Sequence, residues 1–182
     1  ADRGGLDKTR ARTESVETYD EALWHAVAAE LGCAGLLIPE RDGGAGASYR
    51  EAAAAAEALG AAVAPVPFLG SSVVATAALL SVASSAPTRA AADLLRRMAD
   101  GGVTSALATP FATPPGRSFP VSVRVAGIRP GDSEAGVARL RGLVSGVADA
   151  LPASVLLVAA DGVPHGLYLV EVSAPGVAKA PV

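Results

Sequence analysis

Residues 35–49 read GLLIPERDGGAGASY, an apolar run followed by a proline, charged residues and three glycines within four positions. A loop of this kind binds phosphate when it runs from a strand into a helix as G-x-G-x-x-G, or when Gly-Lys-Ser/Thr ends it. Gly44 and Gly46 match the first two glycines, but Tyr49 occupies the third position and no Gly-Lys pair follows. We therefore interpret the stretch as a tight reversal between two helices, the second of which begins at Ser48.

The segments on either side of this reversal carry helix-start signals. Thr18 and Glu21, and again Ser48 and Glu51, have the three-residue spacing of a capping box, in which a hydroxyl and a carboxylate satisfy backbone amides. Apolar residues recur every four positions after the first box, so we predict a helix over about 19–31. An alanine-rich helix is predicted after the second box.

Two more helices are predicted before the predicted secondary structure changes from helices to strands. Gly60 ends the alanine-rich helix, and a proline-containing connector follows it. Ser71 or Ser72 is expected to cap a third helix over roughly 72–82, and Thr88 is expected to cap a fourth through ADLLRRMAD.

From Val103 onward the apolar period changes from about four to two. Five short runs rich in β-branched and aliphatic residues follow, namely VTSALAT, PVSVRVA, VARLRGLVS, SVLLVAA and GLYLVEV. The sequence therefore predicts an α+β fold, with a helical amino-terminal domain over 1–102 and a small β-sheet or barrel domain over 103–182. The boundary is placed at Gly101 and Gly102.

Composition and charge disfavour several classes of function. The net charge is −3 and the aromatic residues are three Phe, three Tyr and one Trp, which argues against nucleic-acid binding. Cys33 is the single cysteine, so no internal disulfide is expected and the compartment is predicted to be reducing. Glu57, Gly60, two prolines and three serines interrupt the apolar stretch 52–83, which argues against a membrane span. We predict a soluble cytoplasmic protein.

No catalytic or metal-binding constellation is visible in the residues. His25 is predicted to be half-buried and His165 to lie in a surface turn, and neither has carboxylate or cysteine partners at metal-ligand spacing. Cys33 is interpreted as a buried, inert thiol. The acidic cluster is interpreted as a solvated helix start and comprises Glu14, Glu17, Asp20 and Glu21.

The order of features resembles the acyl-CoA dehydrogenase family, most of all its actinobacterial members. The resemblance is carried by LWHAVAAELGCAGLLIPERDGGAGASYREAAAAAEALGAAVAPVPFL and covers residues 19–107 well. It implies the family's amino-terminal and middle domains, with FAD as cofactor and an acyl-CoA thioester as substrate. The family's carboxyl-terminal four-helix bundle, which carries the catalytic base, is expected to be missing from this chain, so no catalytic residue is assigned.

Two segments depart from the family pattern where it implies flavin contacts. In ALATPF, Ala108 and Thr109 stand where the family typically has threonine and glutamate, and Thr113-Pro114 replaces Gly-Ser. In GLVSGVAD the lysine, the aromatic residue and the hydroxyl of the family are replaced in turn by Val144, Gly146 and Ala148. The resemblance thus implies that Ala108, Thr109 and Ala148 are degenerate flavin-contact positions.

The resemblance implies three functions that remain open at this point. In the first, the chain is the non-catalytic or half-site subunit of a heteromer with a related acyl-CoA dehydrogenase chain, of the kind that serves bulky substrates such as steroid side chains. In the second, it is a homo-oligomeric dehydrogenase in which the backbone amides of Ala108 and Thr109 hold the flavin. In the third, it is a catalytically dead module for acyl-thioester binding or assembly.

Overall fold

The computed structural model describes residues 9–11, 19–114, 122–128, 138–162 and 166–181. In the described part of the chain, helices precede strands, and the predicted α+β class is confirmed. Helix α1 comprises α-helical Glu21–His25 and a π-helical continuation, Ala26–Glu30. Its N-cap is Asp20, whose carboxylate accepts a hydrogen bond of 2.9 Å from the Leu23 amide. Asp20 is therefore the N-cap in place of the predicted Thr18, which lies outside the described residues.

Helix α2 spans Tyr49–Ala61 and begins as predicted. Ser48 Oγ accepts from the Arg50 amide at 3.2 Å, and Glu51 Oε2 accepts from the Ser48 amide at 2.8 Å. The capping box of the sequence is confirmed, and the hydrogen bonds from Ser48 lower the pKa of Glu51. The helix ends one residue beyond Gly60.

Helix α3 comprises π-helical Phe68–Ala75 and α-helical Thr76–Ser85. It therefore begins four residues before the predicted helix, and neither Ser71 nor Ser72 caps it. Ser71 Oγ instead accepts from the Ser105 amide at 3.0 Å, because the helix start packs against the first strand. Helix α4 spans Arg89–Ala99, and its predicted cap is confirmed, since Thr88 Oγ1 accepts from the Ala91 amide at 3.2 Å.

The described strands form two sheets. A three-stranded sheet has the order β1-β4-β5, with β1 and β4 parallel and β4 and β5 antiparallel. Strands β2 and β3 form an antiparallel ribbon, and the Val125 amide, which donates to the Asp161 carbonyl at 2.8 Å, links this ribbon to the end of β4. The strands are β1 Ser105–Ala108, β2 Val123–Ile128, β3 Ala138–Gly142, β4 Val155–Ala160 and β5 Gly166–Glu171.

Strand β4 is buried on both faces, which explains why VLLVAA lacks polar alternation. Val155 and Leu157 face α3 and α4 in a core whose helical members include Leu79, Leu95 and Met98. Val158 and Ala160 pack on the opposite face against the β2–β3 ribbon. The helical and β parts thus share apolar contacts across the predicted boundary at Gly101, and the division into two domains stays a prediction.

In the described residues, the segment Phe68–Ser85 is long and apolar enough to cross a membrane by length and composition. Its Ala75, Thr76 and Leu79 are at most 1% exposed, and Ala75 and Leu79 pack in the shared core. We therefore interpret α3 as a core helix that positions β1.

Candidate functional site

A cleft of about 810 Å³ lies on the face of the three-stranded sheet that points away from the helices. This volume is in the range of small-molecule and cofactor sites. The floor consists of Ala108, Leu156, Val158 and Val170, and the walls come from the β2–β3 ribbon, the loop 142–152 and the segment 176–181. Most of these side chains are apolar.

Asp149 fixes the loop 142–152 against helix α3. Its Oδ2 accepts a hydrogen bond of 2.7 Å from the Gly70 amide, in the first turn of that helix. The backbone of Asp149 is left-handed, with φ +53°, a conformation that aspartate tolerates better than most residues. Burial raises the pKa of the Asp149 carboxyl, and the hydrogen bond from Gly70 opposes part of that rise.

Lys179 holds the segment 176–181 across the cleft. Its ammonium donates to the Leu151 carbonyl at 2.5 Å and to the Ala153 carbonyl at 2.7 Å. Partial burial lowers the pKa of Lys179. Two walls of the cleft are thereby joined through one side chain.

The three predicted flavin-contact positions lie near this cleft, but they do not contribute equally. Ala108 ends β1 and lines the cleft, whereas Thr109 and Ala148 are not among the lining residues. The Thr109 amide donates to the Leu107 carbonyl at 2.8 Å, and its hydroxyl is buried without a partner in the described structure. Their assignment as flavin contacts stays a prediction.

The two departing segments meet in space. The Phe111 amide donates to the Gly146 carbonyl at 2.8 Å, which holds the end of β1 beside the loop 142–152. Gly146 and Val144 both line the cleft. Gly146 has φ +65°, so an aromatic side chain at this position would require a strained backbone, although space is open around it.

The positions where the family pattern implies flavin contacts do not fit a flavin held through side-chain hydrogen bonds, although Arg141 and Ser145 also line the cleft. Ala108, Val144 and Gly146 present methyl groups, a branched alkyl group and bare backbone to the cleft. Asp149 and Lys179 are polar lining residues whose charged atoms already bind backbone groups of this chain. We therefore derive no chemical step through FAD for this chain.

Sequence reasoning missed Asp149, Gly70 and Lys179. Asp149 and Gly70 are 79 positions apart, and a glycine inside an apolar helix gives no local sign of a distant carboxylate. The role of Lys179 likewise depends on carbonyl groups that the fold brings near it. For none of these three residues did the residue type or the spacing in the sequence indicate the contact.

The glycine loop of residues 35–49 is a helix reversal, as predicted. Its amides turn back on the preceding segment, with Ala45 donating to Gly35 at 3.0 Å, Gly46 to Ile38 at 2.8 Å and Ala47 to Leu36 at 2.8 Å. A Cβ atom at Gly44 would lie 2.1 Å from the Ile38 carbonyl oxygen, so only glycine fits. These amides are consequently not available to a phosphate.

The remaining candidate residues do not form a site. His25 is exposed, not half-buried as predicted, and its Nδ1 lies 3.8 Å from Glu30 Oε1. Cys33 is half-buried where full burial was predicted, and burial raises the pKa of its thiol. His165, Glu14 and Glu17 lie outside the described residues. Across the described ranges, no group of three or more His, Cys, Asp or Glu side chains is arranged to hold a metal.

Comparison with known families identifies the fold. A family model for the acyl-CoA dehydrogenase N-terminal domain matches residues 6–102, more than half of the chain. The chain belongs to the acyl-CoA dehydrogenase family. The acyl-CoA dehydrogenase IpdE2 of Mycolicibacterium smegmatis is 43% identical over 81 residues, which are 44% of this chain and 26% of that protein. IpdE2 of Mycobacterium tuberculosis is 37% identical over 107 residues, which are 59% of this chain and 32% of that protein.

Solved structures extend the likeness through the β part. The Tcur3481-Tcur3483 steroid ACAD variant has a TM-score of 0.72 at 31% identity, covering 96% of this chain and 45% of that chain. The ChsE4-ChsE5 complex from Mycobacterium tuberculosis has a TM-score of 0.69 at 25% identity, covering 94% of this chain and 43% of that chain. Both are heteromeric complexes. This acyl-CoA dehydrogenase chain spans less than half the length of either solved relative.

Proposed function

We propose that this chain is the subunit without a flavin site of its own in a heteromeric acyl-CoA dehydrogenase that acts on a bulky acyl-CoA thioester. Family members desaturate the bond between the α and β carbons of the acyl group with FAD as electron acceptor. In the proposed complex a related chain supplies the flavin and the catalytic base. This chain contributes structural support, an interface with the related chain and a wall of the acyl pocket.

The observation that carries the proposal is the chemistry of the cleft wall at the end of β1. Ala108 presents a methyl group, Gly146 presents no side chain, and the Thr109 amide already donates to Leu107. Loss of hydroxyl donors and an aromatic contact weakens flavin binding by about 1 kcal/mol for each group. Several such losses together are expected to reduce affinity by about a hundredfold.

The same geometry disfavours a homo-oligomer that holds flavin through the backbone amides of Ala108 and Thr109. That alternative needs the Thr109 amide to face a ligand, whereas this amide donates within its own turn. The heteromeric neighbours support a related chain as partner, since each of these two complexes pairs two different chains. One of these neighbours is a steroid ACAD, which supports, by analogy, a bulky acyl group here.

The test is to purify the chain alone and after co-expression with a related acyl-CoA dehydrogenase chain encoded beside it, and to record native mass and visible flavin absorbance. The proposal expects stoichiometric flavin and a mixed oligomer only after co-expression. Stoichiometric flavin on the chain alone would refute it. Acyl-CoA binding without flavin or a mixed oligomer would instead favour a binding or assembly module.

A further inference from the structure

The segment that follows β5 returns along the cleft. Residues 176–181 all line the cleft, and we name this segment the strap. It begins in a turn in which the Val177 amide donates to the Ala174 carbonyl at 3.2 Å. Pro175 and Gly176 are the two central residues of that turn, and Gly176 has φ +87°. Proline followed by a left-handed glycine is the pattern of a type II turn. The direction in which the strap starts is therefore fixed by its own sequence.

Beyond this turn the strap has few contacts of its own. In the part of the chain that the structure describes, Val177 is the last residue whose backbone amide donates to another backbone group. Ala178, Ala180 and Pro181 are exposed, and an alanine side chain has little apolar surface to bury. A segment with few buried contacts and few backbone hydrogen bonds opens locally at a small cost in free energy.

The side chain of Lys179 attaches the strap to the opposite wall. Its ammonium donates to the carbonyl groups of Leu151 and Ala153, which lie just before β4. Hydrogen bonds from a charged donor are stronger than those between neutral groups. Closure of the strap beyond its turn therefore depends mainly on this one side chain.

The residues that accept these two hydrogen bonds belong to a firmly held part of the chain. Between them, the Pro152 carbonyl accepts from Thr104 Oγ1 at 2.7 Å, and the Ser154 amide donates to the Thr104 carbonyl at 2.9 Å. Thr104 directly precedes β1, and Ser154 directly precedes β4. Because the acceptor side is tied to the three-stranded sheet, loss of the Lys179 contacts frees the strap and leaves the loop in place.

The strap and the apolar floor border the same cleft. The floor residues Leu156, Val158 and Val170 lie on β4 and β5, whose positions the sheet fixes. The position of the strap therefore determines how widely this floor is open to an apolar ligand.

We propose that the strap is a lid of the cleft and that Lys179 is its latch. The lid opens when the ammonium leaves the carbonyl groups of Leu151 and Ala153, and the type II turn at 174–177 is the pivot. Lys179 is a positioning residue in this role, because it acts through the strap. The inference goes beyond the proposed function, since it concerns entry into the cleft and holds whichever chain carries the flavin.

The test uses anilinonaphthalene sulfonate, a dye that fluoresces in apolar sites, as the probe of the cleft. Stopped-flow fluorescence gives its association rate, and amide nitrogen relaxation gives the order parameters of the strap. Lys179→Met keeps an apolar stem but has no N–H donor. Gly176→Ala disfavours the turn without a change in charge, and the space around Gly176 is open.

Arg50→Met is the matched control for the loss of charge. Arg50 is exposed and lies on α2, outside the cleft. Melting curves check that each variant folds, and the order parameters of β4 check that the sheet is intact.

We expect the order parameters of Ala178 and Ala180 to be about 0.85 in the wild type and to fall below about 0.6 in Lys179→Met. The dye is expected to associate about tenfold faster with Lys179→Met, because the open population rises when the two hydrogen bonds are lost. A smaller increase is expected for Gly176→Ala, and none for Arg50→Met. Equal order parameters in the wild type and Lys179→Met, an unchanged association rate in that variant, or an equal increase in Arg50→Met would overturn the proposal.

Discussion

Two neighbouring serines at the start of α3 differ in one contact. Ser71 and Ser72 are 2% and 1% exposed, but Ser71 Oγ accepts from the Ser105 amide while Ser72 Oγ has no partner in the described structure. Removing a hydroxyl that satisfies a buried amide leaves the amide unpaired, whereas removing an unpaired hydroxyl does not. Alanine variants of the two serines therefore separate the effect of burial on stability from the effect of the hydrogen bond.

We predict that Ser71→Ala lowers the free energy of unfolding by about 1–3 kcal/mol, and that Ser72→Ala leaves it unchanged or raises it. Urea unfolding of the two variants gives the comparison. An equal loss in both variants would show that the hydrogen bond to the Ser105 amide does not account for the effect of Ser71→Ala.

Asp149 is the residue on which the position of the cleft loop depends. We predict that Asp149→Ala costs about 1–3 kcal/mol in the free energy of unfolding, because the Gly70 amide loses its acceptor and alanine disfavours the left-handed backbone. Asp149→Asn keeps an acceptor oxygen and tolerates that backbone, so it is the control. Urea unfolding at neutral pH distinguishes them, and a larger loss in the asparagine variant would contradict this role.

The same carboxyl gives a pH dependence with a definite sign. Burial raises the pKa of Asp149 in the folded state above its ordinary value of about 3.9. Its contribution to stability is therefore fully present below that ordinary value and is lost as pH rises through the raised pKa. We predict that the stability of Asp149→Asn relative to wild type increases over this interval. Unfolding curves at a series of pH values check it, and a relative stability that falls with pH would be inconsistent with the assignment.

At the scale of secondary-structure elements, replacing two glycines by alanine is expected to have opposite effects on stability. A Cβ atom at Gly44 would lie 2.1 Å from the Ile38 carbonyl, whereas nothing lies within 4 Å of one at Gly60 in α2. We predict that Gly44→Ala destabilises by more than about 2 kcal/mol through backbone displacement, and that Gly60→Ala stabilises by about 0.5–1 kcal/mol. Thermal unfolding measures both. A tolerated Gly44→Ala would mean that the reversal can open without loss of α2.

The starts of α2 and α4, which have a capping side chain of their own, were predictable, and the start of α3, which lacks one, was not. Ser48 and Thr88 each cap the helix that follows, so α2 and α4 began where the sequence indicated. Helix α3 begins at Phe68 as a π-helix without a side-chain cap, because its start is held by Asp149 and by packing on β1. That information lies in the tertiary structure and not in residues 68–72.

The residues of the candidate site likewise fall into those that the local sequence could predict and those that only the tertiary structure determines. Ala108, which the family resemblance names as a flavin-contact position on the basis of a contiguous motif, lines the cleft, and its role toward flavin stays a prediction. Thr109 and Ala148 are next to the cleft without lining it, because the chain turns at each of them. The alternating pattern of β3 places Arg139 and Arg141 on one face, but only the register with β2 sets Arg124 opposite Arg141.

For the whole molecule, the helical and β parts are joined by more than the chain between them. Leu157 of β4 is 0% exposed and belongs to the same core as Leu95 and Met98 of α4. At the surface, Arg97 of α4 donates to Glu171 of β5 at 3.3 Å. The exposed ion pair contributes little, so coupling between the two parts depends on the apolar core.

We predict that Leu157→Ala lowers the free energy of unfolding by about 2–5 kcal/mol and destabilises both parts together. Trp24, buried in a separate helical cluster beside Phe68, reports the helical part by its fluorescence. Amide exchange of β4 reports the β part. The two probes are expected to shift equally, because removal of the shared side chain leaves a cavity bordered by both parts. Leu143→Ala is the control, since Leu143 is 82% exposed and its truncation should leave both probes unchanged. A β4 signal that shifts while Trp24 does not would show that the helical and β parts unfold as independent domains.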